Sequence, residues 1–465
     1  MSFVIVLAAL AFLMFAAYRG HSVILFAPIA ALGAVLLTDP SLVAPMFTGL
    51  FMAKMVGFLK LYFPVFMLGA VFGKLIELSG FSKSIVAATI GLLGRGRAML
   101  SIVLVCALLT YGGVSLFVVV FAVYPFAAEL FRQSDIPKRL IPGTIALGAF
   151  TFTMDSLPGT PQIQNIIPTS FFGTTAWAAP WLGTLGGVFI LVVGMSYLEW
   201  RRRKAARAGE GYGENLVNEP APFQGGKLAN PVIAVLPLVL VGVTNKVFTD
   251  MIPRLYGEST SFAPAVVGKA EPVVQQVSRV AGIWAVEGAL LVGILCVLAF
   301  AWRPVKQRFA DGSKAAVGGA LLASMNTASE YGFGAVIAAL PGFRVVADAL
   351  HAIPNPLVNE AVTVTALAGV TGSASGGMSI ALGAMADTFV ANAHAAGIPL
   401  EVFHRVAAMA SGGMDTLPHN GAVITLLAVT GLTHRQSYKD IFAITVIKTL
   451  AVFVVIALYY LTGLV

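Results

Sequence analysis

Three carboxylates stand where a carboxylate is hardest to keep. Asp155 and Asp415 lie in matching boxes, Met154-Asp155-Ser156-Leu157-Pro158 and Met414-Asp415-Thr416-Leu417-Pro418, and Glu330 lies in Asn326-Thr327-Ala328-Ser329-Glu330-Tyr331-Gly332. All three sit within long apolar stretches. At the centre of a bilayer a charged carboxylate costs roughly 2.5 to 3.5 kcal/mol even on the lenient insertion scale, so such a group marks a function or a buried partner. The chemistry on offer is proton exchange, because desolvation favours the neutral acid and lets it load and unload near neutral pH. Asp155 and Asp415 occupy equivalent places, which suits helix caps or alternative proton carriers. Glu330 aligns with Leu68-Gly69-Ala70 in the first half and has no carboxylate counterpart there. That asymmetry makes it the preferred coupling group. Glu287 is the next candidate, and Lys60 and Lys448 read as snorkelling or carboxylate-paired cations.

Around these carboxylates the chain is broken by polar, glycine- and proline-bearing segments. Half-helix N-termini leave N–H groups unsatisfied and carry the positive end of the helix dipole, an arrangement that suits a substrate carboxylate. Gly113 with Ser115, and Gly377 with Ser379, stand where two such half-helices are expected to begin. Thr160, Gln162 and Asn165 follow the first box, and His419, Asn420 and Thr425 the second, adding hydroxyls and amides able to read substrate oxygens. Asn326 joins these substrate-binding candidates. The bland alternative is that the same groups only satisfy the broken backbone. No set of side chains suggests a metal or a cofactor.

The elements that must position these groups follow from composition. Of 465 residues 58% are hydrophobic and 11% charged, with a mean hydropathy of +0.88, which excludes a soluble domain and identifies an all-α polytopic membrane protein. Clear spans fall near 3–18, 22–38, 56–79, 177–199, 230–249, 280–302 and 440–463. Residues 98–132 and 357–394 are too long for one crossing and read as re-entrant hairpins with glycine tips, at 111–115 and 371–377. Residues 139–172 and 403–432 read as crossings unwound at the Met-Asp boxes.

These features recur in order. Gly80-Phe81 returns at Gly342-Phe343, Gly112-Gly113-Val114-Ser115 at Gly376-Gly377-Met378-Ser379, and the box at 154 again at 414, at offsets of 262, 264 and 260. The chain therefore reads as a repeat over 1–200, a linker at 201–229 and a second repeat over 230–465, each with five crossings and one hairpin. An odd number of crossings inverts the second copy. With both termini outside and Arg201-Arg202-Arg203-Lys204 inside, nineteen Lys/Arg fall on the cytoplasmic side. Five fall outside: Arg254, Lys269, Arg279, Arg344 and Arg405. The 205–229 stretch reads as a flexible tether. The formal charge of +8 follows the loops rather than one face, so nucleic acid is not a partner.

Enzymatic readings fare poorly. Paired intramembrane aspartates suggest an aspartyl protease, yet the first box has no glycine before its aspartate. No G-x-x-x-x-G-K-[ST] loop supports an ATP-driven pump. Inverted repeats with broken spans point to alternating access, with an anion channel or facilitator as the rival class.

The stretches Thr153-Met154-Asp155-Ser156-Leu157-Pro158-Gly159-Thr160-Pro161-Gln162 and Ser411-Gly412-Gly413-Met414-Asp415-Thr416-Leu417-Pro418-His419-Asn420-Gly421 resemble the gluconate permease (GntP) family of proton symporters, nearest its branch of D-β-hydroxybutyrate permeases. The resemblance runs over nearly the whole chain. It implies an ion-transporter-superfamily fold, in which hairpins and broken spans form a mobile domain against a dimeric scaffold. It further implies proton-coupled uptake of a small hydroxy-monocarboxylate across the bacterial inner membrane. D-3-hydroxybutyrate is the expected substrate, with gluconate or sodium coupling as alternatives. A methyl-bearing substrate needs an apolar patch, for which Phe117, Phe152, Phe171 and Phe333 are candidates, core packing explaining them at least as well.

Overall fold

Prolines and asparagines set where the helices start. In the computed structural model, which describes residues 2–19, 21–94, 97–214, 216–220, 228–262, 272–343, 345, 353–418 and 420–465, Asn230 accepts from the Val232 amide ahead of Pro231, and Asn355 accepts from the Val358 amide ahead of Pro356. A Ser, Thr or Asn cap satisfies one orphan donor, and proline at the next position gives up an N–H that had no partner anyway.

The first half contains α1 (Ser2–Tyr18), α2 (Val23–Thr38), α3 (Val43–Met46) and α4 (Ala53–Leu78), with a π-helical turn Phe47–Met52 joining the last two. It continues through α5 (Phe81–Leu93), α6 (Ala98–Tyr111), α7 (Leu116–Gln133), α8 (Ile141–Ala149), α9 (Phe152–Asp155), α10 (Ile163–Phe172) and α11 (Pro180–Arg207). The second half opens with α12 (Pro231–Tyr256) and a hairpin of β1 (Ser259–Phe262) and β2 (Val273–Gln276), paired antiparallel with Ser259 opposite Gln276. Then come α13 (Ala281–Lys306), α14 (Phe309–Ala339), α15 (Pro356–Thr371), α16 (Ala374–Ala396), α17 (Leu400–Ser411), α18 (Gly421–Thr430) and α19 (His434–Thr462). The molecule is an all-α polytopic membrane protein, and five of its helical segments are long and apolar enough to cross a bilayer.

Packing respects an exchange of the halves. α4 lies on α14, α2 packs on α14 as α13 packs on α4, α6 packs on α8 as α15 packs on α17, and α11 lies against α19. Helix α5, set off from the third span by Gly80 at φ 76, is an element that the hydropathy reading does not include.

Three expectations change. The glycine match at offset 264 is not a structural equivalence: Ser115 stands at the N-cap position of α7 without a side-chain capping bond, but the cap of α16 is Ser373, which accepts from the Gly376 amide. The turn of the second hairpin is only Gly372-Ser373, with Gly372 at φ 64 in the left-handed region, and Ser379 lies in the second turn of α16 rather than at its start. Arg405, expected outside, is fully buried in α17. The tether is not loose over its first part.

Residues 210–214 and 216–219 form a strap across the ends of α7, α8 and α18. Lys138, 1% exposed, reaches the Val217 carbonyl (2.6 Å) and Glu219 (2.7 Å). Asp135 accepts from the Tyr212 amide (3.0 Å), Asn218 donates to the Ala428 carbonyl (2.9 Å), and Arg132 pairs with Glu219. Arg139 binds Glu210 through both Nε and Nη2 (2.6 and 2.7 Å), which holds that carboxyl below its ordinary value of 4.5. A folded value below the unfolded one means this clamp is complete above about pH 4.5 and is lost as the pH falls through the lower folded value. Glu219→Gln leaves the buried Lys138 ammonium without its carboxylate. Breaking a fully buried pair costs about 3–5 kcal/mol and this one is partly exposed, so amide-exchange protection over 208–220 should fall by about tenfold or more while α12 and α13 keep theirs. Unchanged protection would show that the strap is held by other contacts.

Candidate functional site

At the first break, α8 stops at Ala149, the chain turns through Thr151 (φ −132, ψ −128) into the single turn of α9, and helix resumes only at Ile163. The carbonyls and amides freed in that stretch lie away from water and need partners within the protein. Much of this duty falls to Arg405 of the other half. Its Nη1 donates to the Asp155 carbonyl (2.9 Å) and Asn165 Oδ1 (3.0 Å), and its Nη2 and Nε donate to the Ala178 carbonyl (2.7 and 3.3 Å). Asn165 turns its amide to the carbonyls of Thr160 (2.9 Å) and Ala176 (2.8 Å), and Thr160 donates to the Thr153 carbonyl (2.8 Å). His404 bridges Thr174 (2.6 Å) and Asn165 (3.3 Å).

The breaks are also tied to the hairpins. Gln162 donates to the Thr110 carbonyl (2.7 Å) at the end of α6, and Tyr111 donates to the Pro158 carbonyl (2.8 Å). In the second half Asn420 caps α18 through the amides of Ala422 and Val423 (2.7 and 3.0 Å) and donates to the Gly372 carbonyl (2.7 Å). Thr160, Gln162, Asn165 and Asn420 are thus brought to the breaks as expected, with hydrogen bonds directed at backbone. His419 lies outside the described residues, and Thr425 bonds the Gly421 carbonyl of its own helix (2.8 Å).

Asp155 and Asp415 meet where the two breaks approach. Asp415 pairs with the buried Lys448 of α19. Asp155 rests its Oδ2 against Gly412, where a Cβ would collide with it, and its Oδ1 has no hydrogen-bond partner among the described residues.

Glu330 belongs to a second centre, on the face α14 turns to α16. Its carboxyl fills the notch left by Gly376 in the first turn of α16, where a Cβ would overlap it and come within 2.9 Å of Ser373 Oγ. Glu330 is 4% exposed with Ser373 beside its carboxyl, and among the described residues its Oε2, Asn326 Oδ1, Ser329 Oγ and Ser379 Oγ have no hydrogen-bond partner. Thr327 and Ser375 bond across the same interface (3.2 Å). Next to Glu330, the Tyr331 ring lies 5.8 Å from Phe58 and 6.3 Å from Phe171, centroid to centroid. Among the described side chains of the named phenylalanines, the Phe171 ring meets Tyr331. Phe333 and Phe152 are core residues, and the Phe117 side chain is not described.

Ser115 and Gly113 of the other hairpin are set apart from this centre. Gly113, at φ 94, faces Pro161, Leu290 and Phe72, and Ser115 makes no side-chain capping bond. Gly377 brings α16 against the backbone of Ala368 in α15, so its role there is close approach between the hairpin arms.

Sequence reasoning missed Arg405 and Glu360. Glu360 is fully buried in α15 with both oxygens unpartnered. An ionisable residue that follows one polar neighbour and leads into an apolar run was the available signal for both. Glu287 is half-buried in α13, and Lys60 lies on the outer face of α4.

Arg405→Leu removes four donated bonds, which takes the guanidinium from the Asp155 and Ala178 carbonyls and leaves Asn165 Oδ1 with His404 alone. Loss of a buried charged partner costs about 3–5 kcal/mol, so this variant should melt far below the parent in detergent, and Arg405→Lys, which keeps the charge without the planar fork, should recover only part of the loss. Full recovery with lysine would reduce the role of Arg405 to its charge.

No protein-family model matches the chain. A solved structure, that of the YdaH transporter of Alcanivorax borkumensis, aligns over 92% of this chain and 90% of that one, with a TM-score of 0.49 and 13% identity. A protein of Bacillus subtilis (strain 168) named as the uncharacterized transporter YxjC is 60% identical over 474 residues, spanning 100% of both chains. With that identity along its whole length, and with helices of membrane-crossing length, the chain belongs to the family of the YxjC transporter and is a multi-pass membrane protein.

Proposed function

We propose that the protein is a secondary active transporter that carries a small hydroxy-monocarboxylate together with a proton by alternating access. D-3-hydroxybutyrate is the substrate proposed, and the bacterial inner membrane the location. The observation that carries this reading is the Glu330 carboxyl: buried, set against the first turn of α16, with an oxygen unpartnered among the described residues, on a pair of packed helices that also carry the unpartnered Asn326, Ser329 and Ser379. Polar atoms buried without partners each cost about 1–3 kcal/mol, and a substrate that supplies the missing bonds removes that cost. At the breaks, by contrast, most of the predicted amides already serve the backbone.

In this reading the substrate carboxylate lies near the start of α16, where free N–H groups and the helix dipole favour an anion. Ser379 and Asn326 contribute to its polar contacts, and Phe171 and Tyr331 flank the methyl end. Glu330 takes a proton as the substrate anion arrives, because two carboxylates in one dry notch cannot both remain charged. Symport follows from that exclusion. The gluconate alternative has less support at this centre, since five hydroxyls beside two aromatic rings would lack partners. A homodimer is the proposed assembly, on the resemblance alone.

The test is uptake of labelled D-3-hydroxybutyrate into proteoliposomes under an imposed proton gradient, with gluconate as competitor. Proton-driven accumulation insensitive to gluconate is expected. Inhibition by gluconate would move the substrate to sugar acids, and absence of gradient-driven accumulation would make the protein a facilitator. Glu330→Gln should abolish accumulation while counterflow exchange persists, and loss of both would make Glu330 a binding or folding residue. Ser379→Ala should raise the apparent KM about tenfold, the worth of a hydrogen bond to a charged group.

A further inference from the structure

Lys448 lies within α19, the most apolar of the five long candidate spans, and is 2% exposed. Its ammonium joins the two halves of the chain. It donates to the Phe150 carbonyl (3.1 Å), at the C-terminal end of half-helix α8, and pairs with Asp415 Oδ1 in the break of the second half. A carbonyl at the end of a half-helix together with a carboxylate is the oxygen ligand set that broken-helix transporters offer to Na⁺. Here the set is already taken by a nitrogen.

The arrangement has no counterpart across the repeat. The boxes lie 260 residues apart, which places Val188 opposite Lys448, and the aspartate of the first half keeps an unpartnered Oδ1. Asp155 still feels the same ammonium, together with Arg405 and Asp415. One lysine therefore supplies positive charge to both aspartates and fixes the carbonyl of one break to the carboxylate of the other.

We propose that Lys448 is a tethered cation, standing in the place that a diffusible Na⁺ would otherwise occupy between the two breaks, and that it makes this transporter independent of sodium. Lys448 is a positioning residue in this role, since it acts through Phe150, Asp155 and Asp415. The inference rests on the transporter family and not on the identity of the substrate, so it stands or falls separately from the hydroxybutyrate reading.

The experiment is thermal denaturation of the full chain in detergent at neutral pH, in NaCl and in choline chloride at equal ionic strength. The parent should melt at the same temperature in both salts. Lys448→Ala, which opens the oxygen set, should melt a few degrees higher in NaCl than in choline chloride, and Lys448→Ala combined with Asp415→Asn should lose that difference because the carboxylate is gone. Lys448→Gln, which keeps a donor and much of the volume, repeats the comparison should the alanine variant prove too unstable. Equal melting of the single variants in the two salts would overturn the proposal, as would a parent stabilised by NaCl. Failure of both variants to fold even in NaCl would overturn it too, since a cation able to replace the ammonium would rescue them.

Discussion

Backbone that leaves the helix inside a bilayer has no water to bond, and every N–H and C=O it frees must find a partner within the protein. The two Met-Asp breaks impose that demand near the middle of the molecule, and much of the surrounding structure is arranged to meet it. Asn165 serves the carbonyls of Thr160 and Ala176, Asn420 serves the α18 amides and the Gly372 carbonyl, and Arg405 reaches from one half to serve the break of the other. The halves therefore cannot be separated without exposing each other's backbone. Arg405 and Lys448 are tolerated at zero or near-zero exposure because each has oxygens from the opposite half within reach.

Satisfaction of the breaks divides the polar groups into two populations. Most of those at the breaks hold backbone and pin hairpin tips, so they fix geometry, while Asp155 Oδ1, Thr110 Oγ1 and Gln164 Oε1 have no partner among the described residues. Those between α14 and α16 are left with unpartnered oxygens, and they include the asymmetric carboxylate Glu330. A group already fully bonded gains little from a ligand, whereas an orphaned one gains the whole of its missing bond.

Residues 210–214 and 216–219 of the linker belong to the same logic at the membrane edge. Lys138 is buried and would be costly alone, and the strap carries Glu219 to it from the segment between the halves. A segment rich in glycine, alanine and glutamate is not obliged to be loose when its charges have fixed partners to meet.

Composition and hydropathy alone determined that the chain lives in a membrane as helices, because the apolar content admits no other solution, and the residue order alone exposed the two Met-Asp boxes and the lone Glu330. Local pattern also marked the helix interruptions near Gly112 and Gly372 and at the two Met-Asp boxes, although prolines such as Pro64 and Pro125 lie inside continuous helices. Tertiary structure decided the rest. Whether Asn165 reads a substrate or holds a carbonyl depends on what lies 3 Å away, and that neighbour is Arg405, 240 residues distant in sequence. Likewise the matching Gly-Gly-x-Ser strings suggested that Ser115 and Ser379 are equivalent, but the cap is Ser373, because the turn forms where Gly372 can take a left-handed conformation. Sequence records which groups a chain carries, and only the fold sets which of them still lack a partner.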